Sequence, residues 1–173
     1  MEYVVLGRTG LQVNKNGFGA LPIQRISKEE AGKLVKKAFE NGINYFDTAR
    51  AYSDSEEKMG AALADVRDQV IISTKTAAQD AKEFWKDLEE SLTKLQTDYI
   101  DLYQFHNPAF CPKPGDGTGL YEAALEAKEQ GKSVISVLQI TELQWQKKRF
   151  YPVFMRHYSS RFLIWHRKRK RSL

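Results

Sequence analysis

The chain has 173 residues, 42% of them hydrophobic, and a formal net charge of +5. That is enough for one globular domain with a sizeable core, and no apolar run approaches the ~20 residues that a membrane-spanning helix needs. The N-terminus lacks the basic, apolar and small-residue order of a signal peptide, and the single Cys111 has neither a disulfide partner nor metal-ligating neighbours, so a reducing cytoplasm is the expected compartment.

In chain order, VVLGRTGLQV offers two short β-branched runs around Gly7 and Gly10, which reads as a hairpin. GFGALPI follows as a first strand. Ser27 and Glu30 form a capping box ahead of Ala31, Leu34, Val35, Ala38 and Phe39 at helical spacing, and Asn41-Gly42 stops that helix. INYFD is the next strand, and a second capping box, Ser53 to Glu56, is predicted to open a helix carrying Met59 and Leu63. VIISTK is a continuous apolar strand. Asp80 and Glu83 then cap a helix whose Phe84, Leu88, Leu92 and Leu95 make one stripe. YIDLYQFH is the fourth strand, and a loop rich in Pro and Gly leads to a helix over LYEAALEAKEQ that ends at Gly131. Four strand-then-helix units with apolar strands indicate the α/β class, a parallel sheet covered by helices.

Three successive strands each end on an ionisable residue: Asp47, Lys75 and His106. Chemistry in parallel α/β folds collects at the C-terminal strand ends, so these three and Tyr52 on the adjoining loop should converge. The group is coherent. A phenol beside an ammonium is predicted to have a lowered pKa, Asp47 would hold Lys75 charged, and His106 could orient a substrate oxygen. Such a site suits protonation of an oxygen as negative charge develops on it, as in carbonyl reduction by hydride.

GRTGLQV, GFGALPI, INYFDTARAY, SEEKMGAAL, IISTKT and TDYIDLYQFHNP, in this order, resemble the aldo-keto reductase family from Met1 to about Lys132. The resemblance implies an eight-stranded (β/α) barrel, of which 1–132 is the N-terminal half preceded by a hairpin. It also implies NADPH as cofactor, with contacts from Gly19, Ala20, Leu21 and Asp47, and a small aldehyde or ketone as substrate. Tyr52 would be the general acid, Lys75 and Asp47 would tune it, and His106 would position the carbonyl. No metal is implied, and the chain has no iron–sulfur cysteine cluster. In the family most nicotinamide and phosphate contacts come from the later units.

The chain changes character near Lys132. Residues 1–132 hold 21 of the 22 acidic residues and 17 of the 27 basic ones, whereas 133–173 has ten basic residues against Glu142, many aromatics, no glycine, and the ending HRKRKRSL. Read in the neighbouring frame with permitted codons, this tail yields a sequence containing RHIGIT and LQFPFSYL, which resembles the family's next two units. Residues 133–173 are therefore expected to be a frameshift product, leaving a half-barrel that does not turn over carbonyls on its own and that self-associates through its open side. The alternative is a non-catalytic fragment or binding module whose basic, aromatic tail contacts nucleic acid or an anionic membrane. The tail has no recognisable module for either, so neither a specific nucleic acid nor a membrane is expected as a partner.

Overall fold

A computed structural model describes residues 2–139 apart from Arg8. Most of the basic tail, 140–173, and the interactions predicted for it lie outside the described residues. The hairpin forms as read, β1 (Tyr3–Val5) pairing antiparallel with β2 (Gln12–Asn14). The main sheet follows with five parallel strands in sequential order: β3 (Phe18–Gly19), β4 (Tyr45–Asp47), β5 (Ile71–Thr76), β6 (Ile100–His106) and β7 (Ser133–Gln139). Helices α1 (Lys28–Glu40), α2 (Ser55–Leu63), α3 (Ala81–Leu95) and α4 (Leu120–Glu129) make the crossovers. This is the α/β class predicted, four strand–helix units in the order of the first half of a (β/α)8 barrel. The sheet also runs past Lys132, since β7 pairs in parallel with β6.

Three local readings change. GFGALPI is a strand only at Phe18–Gly19, because Pro22 fixes its φ and starts a 3-10 turn over Pro22–Arg25. The capping box at Ser27 is present, with Glu30 N donating to Ser27 Oγ and Ser27 N to Glu30 Oε2. The one predicted at Ser53 is not. Ser53 has φ 40°, the left-handed region, whereas an N-cap is extended, and α2 begins after Asp54 with no side-chain cap. Glu56, freed from capping, turns inward instead. At α3, Asp80 accepts from Glu83 N, but the Glu83 carboxylate takes Gln79 N, one residue before the cap.

The two faces of the sheet differ. One packs on the helices, where Phe46, Ile72, Tyr103 and Phe105 meet Val35, Met59, Leu63, Phe84 and Leu88 in the main core. α2 and α3 approach closely, so that a Cβ on Gly60 would lie 2.4 Å from the Lys94 carbonyl oxygen. On the other face Leu102 packs with Ile71 and with Leu6 and Leu11 of the hairpin connection. The hairpin is tied to the chain entering β4: Tyr3 Oη and Asn14 Nδ2 donate to Gly42 O, and Asn14 N donates to Asn44 Oδ1. At the same end of the sheet, Arg67 donates to the carbonyls of Val70 and Tyr99 and pairs with Asp101 at 2.7 Å. The apolar, N-terminal end of the inner face is thereby covered, and polar residues are left to the C-terminal end.

Candidate active site

Side chains alternate across a strand. Pairing of Asp47 with Ser73 and of Lys75 with Gln104 therefore places Asp47, Ser73, Lys75, Gln104 and His106 together on the inner face. Beyond Asp47 the backbone stays stitched to β5, Thr48 N donating to Ser73 O and Arg50 N to Lys75 O, before it turns through Tyr52. All four predicted catalytic residues meet here. Lys75 Nζ donates to Asp47 Oδ2 and to Thr48 O, each at 2.7 Å, and lies 5.5 Å from the centre of the Tyr52 ring. The Tyr52 and His106 rings meet edge to face with centroids 5.8 Å apart.

The electrostatics differ from the expectation in one respect. The Tyr52 phenol is pushed up rather than down, first by burial and then by the Asp47 carboxylate. Burial and the carboxylate together outweigh the Lys75 ammonium, which stands 5.5 Å from the ring centre. His106 is held below its ordinary value, first by burial and then by Lys75, with Asp47 opposing. At neutral pH the site therefore holds a protonated phenol and a neutral imidazole. Both can donate a hydrogen bond, and they stand edge to face beside a buried ammonium.

The loop carrying Tyr52 is fastened from below by residues to which the sequence gives no part in the site. Glu56 is 0% exposed and accepts from Arg50 Nη1 at 2.5 Å, Thr74 Oγ1 at 2.7 Å and Ser91 Oγ at 2.8 Å. Arg50 also reaches Glu90 at 2.8 Å. Ser55 Oγ, within 2.9 Å of Thr48 Oγ1, contacts Ala20 O at 2.9 Å. The one signal available for the inner-face pair Ser73 and Gln104 was their spacing, each two residues before Lys75 and His106 within otherwise apolar runs.

The residues expected at a nicotinamide cofactor divide. Gly19 is exposed at the mouth, with nothing within 4 Å of where a Cβ would stand. Leu21 is 46% exposed and the Asp47 side chain 33%. Ala20 is fully buried, and its N–H donates to Asp47 O while its carbonyl meets Ser55 Oγ, so its place is beneath the mouth. Gly19, Leu21 and Asp47 thus stand within reach of solvent at the strand ends, whereas Ala20 does not.

The sequence model described as the Aldo/keto reductase family matches residues 15–147. L-galactose dehydrogenase of Arabidopsis thaliana is 32% identical over 148 residues, covering 77% of this chain and 46% of that protein. Aldo-keto reductase YhdN of Bacillus subtilis is 35% identical over 127 residues, covering 62% of this chain and 38% of that protein. Among solved structures, the holo form of aldo-keto reductase AKR11C1 from Bacillus halodurans superposes with a TM-score of 0.74 at 28% identity, over 85% of this chain and 53% of that one. The chain spans less than half the length of these two curated relatives.

Proposed function

Because the chain belongs to the aldo/keto reductase family, a family of oxidoreductases, we propose that its site serves the NADPH-dependent reduction of aldehydes or ketones. The observation that carries this reading is the convergence of Tyr52, His106 and the Lys75–Asp47 pair at adjacent strand ends. NADPH, held along Gly19, Leu21 and Asp47, would supply the hydride. Everything else is the work of this chain's residues. A neutral His106 donates one N–H to the carbonyl oxygen and turns it toward Tyr52. Tyr52 keeps its proton until negative charge develops on that oxygen, because burial and Asp47 disfavour the phenolate. Lys75, fixed by Asp47 and Thr48 O, presents the positive charge that offsets the phenolate left behind.

The family match ends at residue 147, and the resemblance places most cofactor contacts in later units. On its own the chain is therefore expected to show neither saturable micromolar NADPH binding nor turnover, since an acid without a positioned hydride donor has nothing to protonate. The test is a chimera carrying residues 1–132 joined to the remaining units of the Arabidopsis relative. It should reduce a panel of aldehydes, and Tyr52→Phe should abolish turnover while leaving NADPH fluorescence titrations nearly unchanged. Equal turnover in Tyr52→Phe would overturn the assignment.

A further inference from the structure

The pairing of Asp47 with Lys75 leaves open what keeps the carboxylate in place, since a side chain that is 33% exposed is free to swing toward water. Its two oxygens have different neighbours. Oδ2 takes Lys75 Nζ at 2.7 Å, while Oδ1 accepts from Ser73 Oγ at 2.9 Å and lies 3.4 Å from Gln104 Nε2. Gln104 Nε2 also donates to Ser73 Oγ at 2.5 Å. A serine hydroxyl carries a single hydrogen. With the Gln104 amide occupying one of its lone pairs, that hydrogen points to Asp47. Ser73 and Gln104 are both buried, so the bond between them is shielded from solvent.

We infer that Ser73 and Gln104 are positioning residues, a buried amide-to-hydroxyl relay that fixes the Asp47 carboxylate in the orientation that keeps its second oxygen on the Lys75 ammonium. The geometry stands on its own, and its bearing on catalysis rests on the function proposed above. Among the described residues, three titratable groups face this carboxylate: Lys75 from β5, Tyr52 from the loop after β4, and His106 from the end of β6. Releasing Asp47 leaves an unmatched ammonium beside both rings. His106 then becomes harder to protonate, and Tyr52 loses its anionic neighbour. If Ser73 and Gln104 merely fill space, their loss admits water, and His106 moves the opposite way, up toward its ordinary value.

The experiment follows the His106 imidazole by NMR across pH in the 173-residue chain, with His106→Asn to assign the signal. Because no turnover is read, failure of the reductase assay and failure of the relay are separate results. In Ser73→Ala the His106 midpoint should fall by about half a pH unit or more, as expected for a nearby charge losing its counter-ion. Ser73→Thr keeps the hydroxyl and should stay within about 0.2 units of the unmodified chain. Gln104→Leu, similar in size, should fall in the same direction as Ser73→Ala and serves if that variant does not fold. An unchanged or rising midpoint in a folded Ser73→Ala or Gln104→Leu chain overturns the relay.

Discussion

Replacing Glu56 by alanine removes a fully buried carboxylate that three donors from three elements share: Arg50 on the Tyr52 loop, Thr74 on β5 and Ser91 on α3. Removing one partner of a buried ion pair costs ~3–5 kcal/mol, because the other charge is left uncompensated. Arg50 retains Glu90 and is 16% exposed, which lowers that figure. Two orphaned hydroxyls raise it again, by ~1–3 kcal/mol each when nothing replaces their acceptor. A net loss of about 4 kcal/mol is expected, and at ~2–4 °C per kcal/mol for a chain of this size the melting temperature should drop by roughly 8–16 °C. Glu56→Gln keeps the shape and an acceptor oxygen for the hydroxyls, so about half that loss is expected. Urea denaturation followed by circular dichroism measures both. A loss below ~1 kcal/mol in Glu56→Ala, far short of the cost of breaking a buried pair, would refute the view that this carboxylate anchors the loop.

Two further outcomes follow from the geometry. Gly60→Ala should destabilise the chain by about 2 kcal/mol, although alanine is the better helix former by ~1 kcal/mol. Its methyl would meet the fixed backbone of Lys94 and Leu95 at 2.4–2.6 Å, and a variant with a raised denaturation midpoint would contradict this packing. The second outcome concerns pH. A lowered folded-state pKa at His106 means that its contribution is present above ~6.5 and is lost as pH falls through the folded value. The raised Tyr52 pKa adds a contribution present below ~10 and lost as pH climbs past the folded value. The urea midpoint should therefore rise as pH approaches 6.5 from below, and that slope should be weaker in His106→Gln.

The order of strands and helices is legible because each unit announces itself twice, by an apolar run and by a helix stripe such as Phe84, Leu88, Leu92 and Leu95. The meeting of Asp47, Tyr52, Lys75 and His106 is legible because parallel strands bring their C-terminal ends to one side. Contacts between residues remote in sequence are not. Glu56 looks like a capping partner three residues after a serine, and only the approach of Thr74 and Ser91 shows why it points inward. The direction of the Tyr52 shift is hidden for a similar reason, since the sequence shows that a lysine is near but not that the phenol is partly buried beside the Asp47 carboxylate. The strand at Ser133–Gln139 lies beyond the expected boundary because the change in composition reads as the end of the fold.

Arg50 stands between a carboxylate that is fully buried and one, Glu90, that is 39% exposed. Dissolved ions reach only the second. At 1 M salt the screening length falls to about 3 Å, so the arm to Glu90 weakens along with peripheral pairs such as Lys15–Glu2 and Lys33–Glu29, whose side chains are more than half exposed. The arm to Glu56 is shielded from dissolved ions, and the bond between Asp47 and the nearly buried Lys75 is screened less than the rim pairs. Concentrated electrolyte should therefore loosen the rim of the molecule and leave the mouth of the sheet in register.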